Sequence, residues 1–348
     1  MVGGSEVVQL LDVQMVGCAQ SPSRNNGVAK AELVLQAHNK TRHRVMVQPE
    51  EGVGPLLAAL YGAKRRIYLK IFSLEDTSLI QAIIDAHRRG VDCRVQLNHV
   101  RADGSMMNED TFETLNSAGV PTVWTNPKFD VTHEKSLVVD EQAWICTFNF
   151  ARKFFEKVRG YAIITDNASE VEEIVACFKA DWERRPFVSQ SDLLFGGPGS
   201  RERILELIDS AQHSLDIQHK KLADTAVLAH LLNALARGVK VRFLGSGQKG
   251  VHGADLFENA ASLGILKDAG GLVHKIKRPK IHAKLIIVDG RVAQVGSMNL
   301  TRHCFEHRRE VGIMVRTRAE VEELQTVFER DWSDSRSWTP PDPATIEV

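Results

Sequence analysis

The chain lacks most of the features that would cross-link, anchor or steer a protein. Its five cysteines (18, 93, 146, 177 and 304) are an odd number without C-x-x-C spacing. That excludes a disulfide framework or a zinc site and points to free thiols in a reducing compartment. No run of 18 apolar residues occurs, so nothing reads as a membrane span. The N-terminus sets Glu6 and Asp12 among apolar residues without a basic leader, so it does not read as a signal peptide. Lys plus Arg and Asp plus Glu both number 44, and this balance gives no global pull toward nucleic acid or anionic lipid. Such a pull must be local, and the clearest patch is His274-Lys-Ile-Lys-Arg-Pro-Lys280. Low-complexity segments are missing as well. The composition, 43% hydrophobic and 25% charged over 348 residues, is that of a globular chain long enough for two lobes.

What is present is one short pattern in two copies, 149 positions apart. The first reads His133-Glu-Lys135-Ser-Leu-Val-Val-Asp140, then Cys146-Thr147-Phe-Asn149. The second reads His282-Ala-Lys284-Leu-Ile-Ile-Val-Asp289, then Gly296-Ser297-Met-Asn299. The repeat extends further. Residues 54–67 line up with 201–215, each a helix running into a strand. Residues 77–89 and 226–237 carry apolar groups at helical spacing and end in Arg89-Gly90-Val91 and Arg237-Gly238-Val239, a glycine stop in each case. Short apolar strands follow (93–97 and 241–244), then further helices near 109–118 and 254–268. Alternating strands and helices predict parallel strands joined by crossovers, an α/β fold in two halves. We expect an N-terminal extension (1–45), a first half (46–190), a second half (191–335) and a loose tail (336–348).

Side chains two apart on a strand share a face, so each motif presents its His with its Lys, and its hydroxyl (Thr147 or Ser297) with its Asn. Two such sets face to face can surround one phosphate. Lys135, Lys284, Asn149, Asn299, Thr147 and Ser297 would bind the non-bridging oxygens. One histidine would attack phosphorus while the other protonates the leaving oxygen. Asp140 and Asp289 end buried strands at turns and are expected to serve the fold.

The paired His-Lys-Asp motifs resemble the phospholipase D superfamily over about residues 46–335, and are similar to soluble bacterial cardiolipin synthase and phosphatidylserine synthase-like members. The resemblance implies two tandem α/β/α halves with pseudo-twofold symmetry and one active site at their interface. It further implies a phosphohistidine intermediate, with no metal and no other cofactor. The family often places an acid about 28 positions beyond each motif histidine, bonded to the histidine of the opposite half. Glu310 holds that place in the second copy, whereas Gly160 stands there in the first. His133 therefore keeps an orienting carboxylate, which makes His133 the expected nucleophile, His282 the general acid and Glu310 the third catalytic residue. The first copy is also one residue shorter between Asp140 and its hydroxyl.

A phospholipid substrate follows from the resemblance, with a phospholipase D-type hydrolysis or transfer as the reaction. A metal-independent nuclease of the same superfamily, or a degenerate phosphate-binding protein, are the alternatives. The expected setting is a monomer in the cytoplasm with peripheral contact at the inner face of the membrane. Of three further segments, two invite two readings each. Phe154 and Phe155, amid Arg152, Lys153 and Lys157, suit either a membrane interface or the core. The basic run 274–280 suits either phosphate docking or a solvated strand edge. The glycine-rich 245–250 reads as a loop at the site mouth.

Overall fold

Local chemistry sets the element boundaries. The computed structural model describes residues 43–346 apart from Asp192, Lys249, Gly250 and His252, so nearly all of the N-terminal extension, Cys18 and the end of the 245–250 loop fall outside the described residues. The first half runs β1 (Arg44–Gln48), α1 (Gly54–Gly62), β2 (Arg66–Ile71), α2 (Thr77–Arg88), β3 (Asp92–Leu97), α3 (Glu109–Ser117), β4 (Thr122–Trp124), β5 (Val131–Thr132), β6 (Lys135–Val139), β7 (Gln142–Cys146), α4 (Arg152–Glu156), β8 (Val158–Thr165) and α5 (Ala168–Trp182). The second runs β9 (Leu194–Phe195), α6 (Pro198–Asp209), β10 (Ser214–His219), β11 (Leu222–Ala223), α7 (Thr225–Ala236), β12 (Lys240–Gly245), α8 (Ala254–Asp268), β13 (Leu272–Lys275), β14 (Lys280–Ile281), β15 (Lys284–Val288), β16 (Val292–Gly296), β17 (Leu300–Thr301), α9 (Arg302–Glu306), β18 (Arg308–Arg309), β19 (Val311–Val315), α10 (Arg318–Ser333) and β20 (Arg336–Ser337). Asp76 starts α2 by accepting from the N–H groups of Ser78 and Leu79 at 3.1 and 3.2 Å, and Asp224 caps α7 through Val227 N–H at 3.0 Å. Each cap satisfies donors that the first helical turn leaves free. Gly90 and Gly238 stop the same two helices with φ of 89° and 86°, values costly for a residue with a side chain.

The strand order of the first sheet is β1-β8-β7-β6-β2-β3-β4, with β14 of the second half joined to β8. The second sheet runs β20-β13-β12-β10-β15-β16-β19-β9. Parallel pairing holds for β2-β3-β4 and for β10-β12-β13, as the alternation of strands and helices predicts. The motif strands depart from that expectation. β6 lies antiparallel to both β2 and β7, and β15 to both β10 and β16. For β6–β7 and β15–β16 the reason is the connection: each motif Asp leads into a hairpin too short to cross over to a parallel partner.

Three buried clusters organise the layers. One lies within the first half, around Leu69, Ile83 and Leu137, and one within the second, around Ile217, Leu231 and Ile286. The middle cluster draws on both halves, joining Tyr68, Val138, Ile145 and Phe178 with Leu285, Ile287, Val295 and Phe328. Each sheet thus has one face under its own helices and the other in the shared core. β6 and β15 are accordingly buried at every position, which explains why they read as unbroken apolar runs rather than alternating ones.

Candidate active site

The motif aspartates hold the framework together. Asp140 accepts from the backbone N–H groups of Lys64, Arg65 and Arg66 at 2.9, 2.8 and 3.1 Å. Asp289 does the same with Gln212, His213 and Ser214 at 2.9, 2.8 and 2.7 Å. Both carboxyls are held below the usual range by these bonds, against the burial that raises them. The residue missing from the first copy is lost at the tip of the β6–β7 hairpin. The strands regain register beyond it, because Thr147 Oγ1 accepts from Tyr161 N–H as Ser297 Oγ accepts from Val311 N–H.

His133 sits between β5 and β6, nearly buried, and its Nδ1 lies 3.0 and 3.1 Å from the two carboxylate oxygens of Glu310. Burial raises the Glu310 pKa against the pull of Lys135, Arg308 and Ser297; as a carboxylate it only accepts, which puts the ring proton on Nδ1 and leaves Nε2 its lone pair. Burial first, then the charges of Lys135, Lys284 and Arg308 and the neighbouring His282, push the His133 pKa well below the ordinary histidine value. Phe72 packs edge-on against the ring at 5.2 Å. Ser297 donates to Glu310 from the other side.

His282 has no carboxylate, and a backbone group stands in its place. Its Nδ1 lies 2.9 Å from the carbonyl oxygen of Thr147, and Phe154 packs edge-on at 4.9 Å. Gly160 leaves no room for an acid: a Cβ there would meet the Phe148 ring at 2.8 Å and Thr147 Oγ1 at 3.0 Å. Burial and the charges of Lys284, Lys220 and Lys135 depress the His282 pKa, against the Thr147 bond.

Lys135 and Lys284 each reach back to the carbonyl of their own motif histidine. Burial brings Lys135 down to about 7 despite Glu310, and drives Lys284 well below its ordinary value, with Lys135 the next cause. Desolvation and mutual repulsion both disfavour the charged forms of these two buried ammonium groups, and the Glu310 carboxylate opposes them only in part. Asn149 and Asn299 each carry a buried Oδ1 without a hydrogen-bond partner among the described residues. Thr147 and Ser297, expected at the phosphate, are both buried: Thr147 Oγ1 accepts from Tyr161 N–H, while Ser297 Oγ donates to Glu310 and accepts from Val311 N–H. The strand alternation that places them at the site also turns them into the neighbouring strand.

Several residues escape the motif reading. His219 is the cross-strand partner of Lys284, fully buried with neither ring nitrogen bonded among the described residues. Lys220 follows it beside His282. Arg309 of the second half accepts at its carbonyl from His133 N–H, 2.9 Å, while its guanidinium binds Asp181 of the first half at 2.7 Å. Arg159 mirrors it, accepting from His282 N–H at 3.0 Å and binding Asp331 at 2.6 and 2.9 Å. The signal was available: an Arg precedes both Gly160 and Glu310, and Asp-Trp closes both α5 and the equivalent turn of α10. Phe154 and Phe155 are buried on α4, Phe155 within the first-half core, so their core reading holds rather than the membrane one. Glu134, Cys177 and Asp181 have donor atoms within 4.8 Å of one another, but the Lys70 ammonium already bonds all three at 3.2, 3.3 and 2.7 Å. A resident cation of the protein's own fills that cluster.

Residues 56–182 and 204–332 both match the family described as "Cardiolipin synthase, PLD-like domain". The chain belongs to this family. It is an enzyme of the phospholipase D type. Cardiolipin synthase 1 of Bacillus anthracis is 21% identical over 348 aligned residues, covering 86% of this chain and 68% of the relative. Phosphatidylserine synthase from Haemophilus influenzae superposes with a TM-score of 0.64 at 14% identity, covering 92% of this chain and 94% of that one. Polyphosphate kinase from Porphyromonas gingivalis gives 0.67 at 16% identity, covering 84% and 47%. Proteins with such different names sharing one architecture mean that the substrate of this family member must be argued from the site.

Proposed function

We propose that this cardiolipin synthase-like enzyme transfers a phosphatidyl group from a phospholipid to an alcohol through a phosphohistidine on His133. The observation that carries the reading is the clamp of Glu310 on His133 Nδ1. It leaves Nε2 as a neutral nucleophile, and a carboxylate behind an imidazole stabilises the positive charge that develops on attack.

The steps follow from the arrangement. The phosphate oxygens lie against Lys135 and Lys284, with the amide N–H groups of Asn149 and Asn299 as further donors beside them. Nε2 of His133 attacks phosphorus, and the bond to the leaving alcohol breaks as His282 gives that oxygen a proton. His282 rests neutral, its Nδ1 between the Thr147 carbonyl and the Lys284 ammonium at 2.9 and 3.1 Å, and the arriving anion offsets the surrounding lysines and lets it take up a proton. In the return step an acceptor alcohol loses its proton to His282, attacks phosphorus and frees His133. Thr147 and Ser297 act as positioning residues, one aligning the strand whose carbonyl holds His282 and the other fixing Glu310.

A p-nitrophenyl phosphodiester tests the roles, because its leaving group needs no proton. His282→Ala should accumulate label on His133, and EDTA should leave wild-type turnover unchanged. Label on His282, or full turnover by His133→Ala, would overturn the assignment.

A further inference from the structure

Beside the strands that lead to His133 and Glu310, one copy carries groups that the other lacks. His303 lies on α9 and His307 just beyond it, and His307 N–H donates to the His303 carbonyl at 3.0 Å. The two imidazoles are therefore one helical turn apart, with 5.1 Å between ring centres. That i, i+4 spacing is one from which a helix can hold a transition metal. Asp130 of the first half faces both rings. Its N–H donates to the His307 carbonyl at 3.1 Å, just before β5 pairs with β18. Its Oδ2 lies 3.6 Å from His303 Nε2 and 4.0 Å from His307 Nδ1. The equivalent positions of the other copy hold Lys153, Lys157 and Pro279, so the chemistry that both copies share does not require this set.

The three groups attract one another without bonding. Both gaps exceed a hydrogen bond. The Asp130 carboxylate accepts none among the described residues, and His303 Nε2 is closed off from solvent without a partner there. An ion fits between them better than a direct contact does, because donors about 2.1 Å from a tetrahedral zinc stand about 3.4 Å apart. The donors are not yet converged as those of Glu134, Cys177 and Asp181 are, and the rings close the set by turning, which exposures of 40% for His303 and 51% for His307 permit. Glu306 lies 3.7 Å from His307 Nε2 but is held by Arg201 and Arg302 at 2.8 Å each, so it is not a donor.

We propose that Asp130, His303 and His307 form a site for one divalent transition metal, zinc above all, with water as the fourth ligand. The bound ion clasps the two halves where their strands deliver His133 and Glu310, each three residues beyond a ligand. It touches no reacting atom, so turnover does not depend on it. Resistance to heat does, because an ion that binds the folded chain stabilises it. The site stands whatever the substrate of the enzyme.

Thermal melts of the full chain in EDTA, magnesium chloride and zinc chloride test this. Zinc should raise the Tm of the wild type above its value in EDTA. Magnesium should not, since it prefers oxygen ligands and keeps its waters. His303→Ala, His307→Ala and Asp130→Ala should each lose the zinc shift, EDTA giving every variant its own baseline. Calorimetric titration should find one zinc per wild-type chain, bound about tenfold or more weaker in each variant. No shift in the wild type, or an equal shift with magnesium, would overturn the proposal. So would zinc binding that survives all three substitutions, which would place the ion on other residues. A shift that Asp130→Ala alone leaves intact would reduce the site to the two histidines and refute a clasp between the halves.

Discussion

Two imidazoles set in the same His-x-Lys motif have different partners in space. His133 has a carboxylate behind it and His282 a carbonyl, and only the first can offset a full positive charge. Glu310→Gln should keep the fold and slow phosphohistidine formation on the order of 10²-fold or more, since an amide oxygen accepts the same bond without the charge. Rapid-quench measurement of the labelled intermediate checks this. The pH profile is set by the same burial. His133 must be neutral to attack, and its depressed pKa keeps it neutral to well below pH 6.5. Lys135 must be charged, and its pKa of about 7 means that charge is lost as pH rises through 7 in the free enzyme. Bound phosphate raises it. The alkaline limb of kcat should therefore lie above that of kcat/KM, which reports the free enzyme; coincident limbs would contradict the placement of Lys135 at the phosphate. At this scale His, Lys and Glu310 were legible, because the chemistry needs those residue types at fixed spacing. The Thr147 carbonyl was not, since a backbone group leaves no mark on residue identity.

Among the elements, helices and their glycine stops were legible through apolar period and cap chemistry, for example Asp76 and Gly90 around α2. The order of the motif strands was not. β6 and β15 are apolar on both faces, so their sequence carries no alternation from which to read neighbour or direction. The reciprocal Arg–Asp pairs belong to this scale too. Each joins a strand beside one histidine to the helix end of the opposite half, and each is buried. Removing one member of such a pair typically costs up to about 3–5 kcal/mol, and less where a second partner remains, as Glu50 does for Arg159. Asp331→Ala should lower Tm clearly, and the surviving protein should lose kcat with little change in KM as His282 drifts with Arg159. Asp140→Ala, by contrast, loosens a hairpin on the far side and should lower Tm with kcat nearly intact. Thermal melts with steady-state kinetics on both variants separate the two effects.

The molecule as a whole is legible as a duplication and makes sense only as a pair. Residues 46–190 alone would expose the Tyr68, Val138 and Ile145 face of the shared core and strand both Asp181 and the carbonyl that should hold His282. We expect that fragment to associate or precipitate and to lack turnover, checked by sedimentation and the p-nitrophenyl assay; a soluble, active monomeric fragment would contradict a shared site. The shared core escaped the sequence reading because apolar strand faces look alike whichever sheet they meet.

The crossed arginines also bear on how the two copies can drift apart over generations. Each repeat holds its twin's histidine, so a change at Arg159, Asp181, Arg309 or Asp331 is judged by the fitness of the opposite copy. At the hairpin tips no such cross-examination occurs, and there one copy is a residue shorter while the strands beyond share the same register. Between those extremes lies Gly160, which stands where the second copy has Glu310, while a neighbouring peptide carbonyl holds the ring of His282. Lineages descending from this chain should therefore diverge freely at the tips and in step along the seam.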